Sequence, residues 1–283
     1  MSKTVVVTGG NSGIGLASAH ELASRGAKVV LACRNQTKAE AARDEIVGRT
    51  PGADVDIMSV DLSSFEHIHR FAADLAQQHP KVDVLVNNAG AVPQKQQYTE
   101  EGFELQFGAN YLGAFLLTHL VLPQLEAAAA DTGDARIIHL SSIAHNVGRI
   151  DPSTFRGRKR YISFNAYTQS KLANLMFSNT LARRLPDGIS TYALHPGGVD
   201  SEIWRELPSL VYRVIKLGLI SPEKAAKLIA DLSLSSEYLG KSGSFHTAQP
   251  PTPVSRTARD EAKQDDLYNR SVALTGIEGL PIR

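Results

Sequence analysis

The run Tyr167-Thr168-Gln169-Ser170-Lys171 sets a phenol and an ammonium four residues apart, on one face if the segment is helical. A free tyrosine has a pKa of about 10 and is a poor base at neutral pH. A lysine one turn away favours the phenolate, so Tyr167 could give a proton to a substrate oxygen or take one from it. Taken alone, this spacing is common and equally suits a pair on a surface helix. Ser141-Ser142 supplies hydroxyls able to hydrogen-bond an oxygen on which charge develops. A serine in such a place also caps turns and helices. Asn110 sits inside a long helical stretch, where asparagine is mildly unfavourable. It could bond the backbone and hold a water that relays protons toward Lys171.

A second constellation lies near the N-terminus. Thr8-Gly9-Gly10-Asn11-Ser12-Gly13-Ile14-Gly15 joins a valine-rich strand to a helix. Glycines at 9, 13 and 15 permit positive φ and close backbone approach, and a helix start offers unpaired N–H groups to a pyrophosphate. No Lys-Ser/Thr pair follows, which disfavours a P-loop nucleotidase. Gly9, Asn11, Ser12, Gly13, Ile14 and Gly15 are therefore expected to hold a dinucleotide. In an NAD site a carboxylate ends the next strand and accepts bonds from the ribose hydroxyls. Here Ala32-Cys33-Arg34-Asn35 stands there, and a guanidinium suits a 2′-phosphate. NADP(H) is the expected cofactor, with Arg34 and Asn35 at its phosphate. Asp61-Leu62 and Asn88-Ala89-Gly90, ending the third and fourth strands, are candidate adenine and ribose contacts.

These residues need a scaffold that brings them to one edge. Short apolar runs alternate with longer amphipathic segments, the pattern of βα units on a parallel sheet. Strands are expected at 4–8, 28–33, 54–59, 82–87, 135–140, 189–194 and 243–246. Helices are expected at 13–25, 37–48, 63–78, 101–130, 164–185 and 222–233. The fold class is α/β: a single-domain Rossmann fold over residues 1–283, with a doubly wound seven-stranded parallel sheet and helices on both faces. The apolar segment that includes Trp204, Leu210 and Tyr212 is expected to form a substrate lid at about 200–221, a membrane-contacting face being the alternative. Residues from about 247 to 283 read as a polar, surface-packed tail.

Composition narrows the function classes. Thirty basic residues against 29 acidic ones leave a formal charge of +1, which argues against a nucleic-acid partner. The single cysteine, Cys33, cannot form an internal disulfide, and no leader is expected before the first strand. No membrane span is expected, so the chain reads as soluble and cytoplasmic. The nine histidines are scattered, the pair His67 and His69 lacks a third ligand at useful spacing, and no metal site is expected.

The glycine turn, Asn87-Asn88-Ala89-Gly90, Asn110, the serine pair, the Tyr167-to-Lys171 run and His195-Pro196-Gly197-Gly198 occur in an order and spacing that resemble the short-chain dehydrogenase/reductase family. The resemblance covers residues 3 to about 235. It implies a tetrad of Asn110, Ser142, Tyr167 and Lys171, Ser142 being the second serine of its pair. It also implies that Tyr167 and Lys171 touch the cofactor, and that Pro196, Gly197 and Val199 lie beside its carboxamide. Ala32-Cys33-Arg34, the long Ser142-to-Tyr167 spacing and Ser170-Lys171-Leu172-Ala173-Asn174 are similar to the retinol-dehydrogenase and WW-domain-oxidoreductase branch. That branch commonly handles lipophilic alcohols, aldehydes and ketones. Many of its members carry an N-terminal membrane anchor that is not expected here, and no WW domain is expected either, so retinoid activity is not carried over. The implied function is NADP(H)-dependent interconversion of a carbonyl and an alcohol on a lipophilic small molecule. Reduction of an activated C=C bond and a catalytically silent NADPH sensor or partner-binding protein are the alternatives. The helices at 101–130 and 164–185 could build a homodimer interface, as in many relatives.

Overall fold

Seven runs rich in β-branched residues pair into one sheet, in the order β3-β2-β1-β4-β5-β6-β7. The computed structural model describes residues 2–197, 221–248, 250 and 253–283. The strands are β1 (Thr4–Thr8), β2 (Lys28–Cys33), β3 (Val55–Ser59), β4 (Val84–Asn87), β5 (Ala135–Leu140), β6 (Ile189–His195) and β7 (Ser244–Thr247). Every neighbouring pair is parallel. Successive valines serve opposite faces: Val6 and Val30 join one core, while Val5, Val7 and Val29 join the other. A strand buried on both faces needs a largely apolar run, which is what the inner strands β1, β2 and β4 supply.

Helices α1 (Gly13–Ser24), α2 (Gln36–Arg49) and α6 (Pro222–Leu234) cover one face through Leu22, Ile46 and Ile229. Helices α3 (Phe65–Gln78), α4 (Leu105–Thr132) and α5 (Ser163–Leu181) cover the other through Phe71, Leu116 and Leu175. Strand order reverses between β1 and β4, so a crevice opens beyond their carboxyl ends, where such sheets hold ligands. The doubly wound, seven-stranded expectation is met.

Two expectations need correction. The helix expected from 101 begins only at Leu105, because the buried carboxylate of Glu104 accepts the Gln106 and Phe107 N–H groups at 3.0 and 2.9 Å. Within it, Gly108–Gly113 winds as a π turn. The expected polar tail contains a further helix, α7 (Glu261–Thr275), started by the Asp260 side chain accepting the Lys263 N–H. It buries Leu267, Tyr268 and Ser271 and bonds to α4, with Tyr111 Oη 2.7 Å from Ser271 Oγ. Leu105–Thr132, 28 residues long, also holds an 18-residue window apolar enough to cross a membrane by length and composition alone. As folded, 72% of that apolar window is buried inside the protein as a core helix. Val199 and the lid expected at 200–220 lie outside the described residues.

Candidate active site

The carboxyl ends of β1, β2 and β4 and the start of α1 frame a cleft of about 600 Å³. Gly9 and Gly13 take φ values of +66° and +52°, which side-chain-bearing residues rarely adopt. Gly15 is required for a different reason: a Cβ there would stand 2.2 Å from the Gly9 carbonyl oxygen and 2.5 Å from Asn88 Nδ2. Thr8 Oγ1 accepts the Asn88 and Ala89 N–H groups, each at 3.0 Å, and Asn88 Nδ2 donates to the Thr8 carbonyl at 2.8 Å. The ends of β1 and β4 are thus locked together under the turn. Helix α1 starts at Ser12 with no side-chain cap and no acidic residue in its first turn. Its positive end is left to an anion.

Cys33 lies against this turn. Burial pushes its thiol up to about 11, while the backbone N–H groups of Gly10 and Asn11 beside it pull the other way. It therefore braces the turn as a neutral group and offers no carboxylate to a ribose. Arg34 follows with its side chain 76% exposed and its guanidinium 3.6 Å from an Asp61 oxygen. Burial works against the charge on Asp61, but bonds from Ser63 and the nearby Arg34 hold its carboxyl below the ordinary value. Asn35 caps α2 by accepting the Lys38 N–H at 2.9 Å. A glycine cradle, an uncapped helix start and an exposed cation one strand away fit a phosphate-bearing dinucleotide.

Across the cleft, α5 presents Tyr167 and Lys171. Burial raises the Tyr167 phenol above its usual value, and a hydrogen bond with Ser142 works to lower it. Lys171 Nζ donates to the Leu140 carbonyl at 2.9 Å and lies 5.7 Å from the Tyr167 ring centroid. Burial lowers its ammonium to about 8. The serine pair divides its work: Ser141 Oγ donates to the Lys171 carbonyl at 2.7 Å, tying β5 to α5, while Ser142 meets the phenol. Asn110 stands in the π turn and clamps Ala91 twice, Oδ1 accepting its N–H at 2.7 Å and Nδ2 donating to its carbonyl at 2.9 Å. The expected backbone bond of Asn110 is therefore present, and π turns of this kind cluster at functional sites.

The cleft brings together Gly9, Asn11, Ser12, Ile14, Gly15, Arg34, Asn35, Asp61 and Leu62 with Asn88, Ala89, Gly90, Asn110, Tyr167, Lys171 and Pro196. Ser142 joins them through Tyr167. Gly13 borders a second cleft instead, and Gly197, with φ +91°, is not on the wall of the first. Sequence reasoning missed Lys38, Val60, Ala91 and Val92, which also line it. Lys38 had a signal, as a second cation one helical turn beyond Arg34. The others are ordinary apolar residues that only the fold brings to the wall.

The sequence matches the short chain dehydrogenase family over residues 3–210. The chain belongs to that family. Retinol dehydrogenase 12 of Mus musculus is 40% identical to this short chain dehydrogenase over 279 residues, covering 98% of this chain and 87% of the relative. Retinol dehydrogenase 13 of Homo sapiens is 40% identical over 291 residues, covering 99% and 87% respectively. A solved structure of an uncharacterised protein from Mycobacterium paratuberculosis superposes with a TM-score of 0.75 at 35% identity, covering 99% of this chain and 95% of that one. The protein is thus an oxidoreductase of the short chain dehydrogenase family, in its retinol-dehydrogenase-like branch, and that family works with a nicotinamide dinucleotide.

Proposed function

We propose that this oxidoreductase interconverts a ketone or aldehyde and the corresponding alcohol on a lipophilic small molecule, with NADP(H) as cofactor and Tyr167 as the acid/base. The observation that carries the reading is the Lys171 ammonium 5.7 Å from the Tyr167 ring, with both residues in the same cleft as the glycine turn and Ser142 acting on the phenol from the end of β5. The nicotinamide, when bound, supplies or accepts the hydride. Ser142 and Tyr167 together offer two hydroxyls to a single substrate oxygen, orienting it and stabilising the charge that develops there. Tyr167 gives that oxygen its proton in reduction and takes it back in oxidation. Lys171, held in place by the Leu140 carbonyl, offsets the phenolate charge left behind. Asn110 acts on the wall of the cleft by fixing Ala91.

The preference for NADP(H) rests on Arg34 and Lys38, two cations at the cleft with no carboxylate at residue 33. The lipophilic substrate class rests on the likeness to proteins named retinol dehydrogenases. An NADPH-oxidation screen over aliphatic aldehydes, aromatic ketones and activated enones, with product analysis, tests the reading. Alcohol products with unsaturation intact are expected. Saturated carbonyl products would favour C=C reduction, and no turnover over the panel would favour a silent NADPH-binding protein.

A further inference from the structure

His145 is fully buried, three residues after Ser142, in the short turn Ile143–Val147 that Ser142 begins. Both of its ring nitrogens are engaged. Nδ1 lies 2.6 Å from the Ser142 carbonyl oxygen, and the backbone N–H of His145 donates to the same oxygen at 3.0 Å. A carbonyl only accepts, so Nδ1 holds the proton. Nε2 accepts the N–H of Ser255 at 3.3 Å, and an amide nitrogen only donates. The two partners therefore select the same neutral tautomer from opposite sides. The ring stands edge-on to Phe245 of β7, with centroids 5.1 Å apart at 72°. Neither contact belongs to the proton chemistry assigned to Tyr167 and Lys171.

We propose that His145 is a positioning residue for Ser142: a neutral strut that ties the serine's carbonyl to the C-terminal segment at Ser255. The inference rests on the reading of Ser142 as the substrate-orienting hydroxyl. Ser142 sits where β5 has ended, so no strand pairing holds its carbonyl, and His145 bonds that oxygen twice. The next residue but one, Ala144, donates its N–H to Ser142 Oγ at 3.2 Å, which ties the hydroxyl to the same turn. Releasing the carbonyl frees the turn that makes this contact. Misplacement of a reacting group by about 1 Å costs on the order of 100-fold in rate. Through Ser255, the placement of the serine also depends on the chain beyond β7.

Ring-15N NMR of the protein reads the tautomer directly. Nδ1 is expected to carry the proton at neutral pH, and a ring protonated at Nε2 would overturn the proposal. Three variants then separate positioning from packing, with NADPH and nonanal as the probe reaction. In His145→Asn the amide nitrogen replaces the Nδ1 donor, whereas in His145→Gln the amide reaches only the Nε2 position. We expect kcat to fall about 10- to 100-fold in His145→Ala, to recover largely in His145→Asn and not in His145→Gln. The KM for NADPH and the thermal midpoint should not separate the two amide variants. Equal losses in both, tracking thermal stability, would overturn the strut, as would wild-type kcat in His145→Ala. Ser142→Ala runs in parallel: wild-type kcat there defeats the reading of Ser142 and this proposal with it. A loss in Ser142→Ala with indifference at His145 defeats this proposal alone.

Discussion

Lys171 Nζ lies 5.7 Å from the centroid of the Tyr167 ring while donating to the Leu140 carbonyl at 2.9 Å. The lysine is only 8% exposed, and burial is the one cause of its lowered pKa. Among the described residues no carboxylate pairs with it, so its charge is available to the phenol one turn earlier on the same helix.

That burial has a pH signature of opposite sign for stability and for catalysis. The ordinary lysine value is 10.5, and in the fold the proton leaves near 8. Between those values the unfolded chain binds more protons, so stability rises with pH there, and the buried ammonium costs stability below that window. Catalysis runs the other way, because Tyr167 loses its charged neighbour. The kcat/KM for carbonyl reduction is expected to decline through about pH 8, and Lys171→Arg, which stays charged, should move that limb upward. A profile that stays flat well above pH 8 would contradict this assignment.

Gly15→Ala should damage the cofactor turn. Its new methyl group would meet the Gly9 carbonyl and Asn88 Nδ2, both part of the lock between β1 and β4. Overpacking of this kind costs about 1–3 kcal/mol. Urea unfolding should show that loss, and calorimetric titration should show weakened NADPH binding. An unchanged midpoint with unchanged affinity would mean that the turn relaxes freely.

Much of this was readable from residue types. The parallel sheet announced itself in apolar runs bounded by turns, and the glycine turn, the serine pair, Tyr167 and Lys171 in motifs whose chemistry suits those residues; the resemblance alone singled out Ser142. What was hidden depends on distant partners. Helix α7 carries few apolar residues, and its helical state becomes intelligible only once Tyr268 and Ser271 are seen bonded to His119 and Tyr111 of α4. The late start of α4 depends on Glu104, a carboxylate that composition alone would place in solvent. His145 looked like one of nine scattered histidines until its two nitrogens found their partners.

Arg34→Ala tests the phosphate contact. The guanidinium is mostly exposed and its one ion pair among the described residues, with Asp61, is long, so its removal should leave stability close to wild type. The KM for NADPH should rise about tenfold or more, on the scale of a lost charge-assisted hydrogen bond, with little change for NADH. Equal increases for both cofactors would remove Arg34 from the phosphate site.

Tyr268→Phe should loosen α7. The phenol donates to His119 Nε2 at 2.9 Å, since His119 Nδ1 is committed to the Phe115 carbonyl, and it accepts the Leu280 N–H at 2.7 Å. Burial lowers His119 to about 4, so it stays neutral and can only accept there. Each orphaned group costs about 1–3 kcal/mol. Chemical denaturation should show a lower midpoint, and an unchanged one would mean that the tail is held by its apolar contacts alone.

The most direct test of the central claim is Tyr167→Phe, measured by NADPH turnover on the best carbonyl substrate alongside cofactor binding by titration. Removing the phenolic proton should lower kcat by about 10²- to 10⁴-fold while the NADPH dissociation constant changes little. Turnover near the wild-type rate, with the ring in place and the hydroxyl gone, would contradict the assignment of Tyr167 as the proton donor.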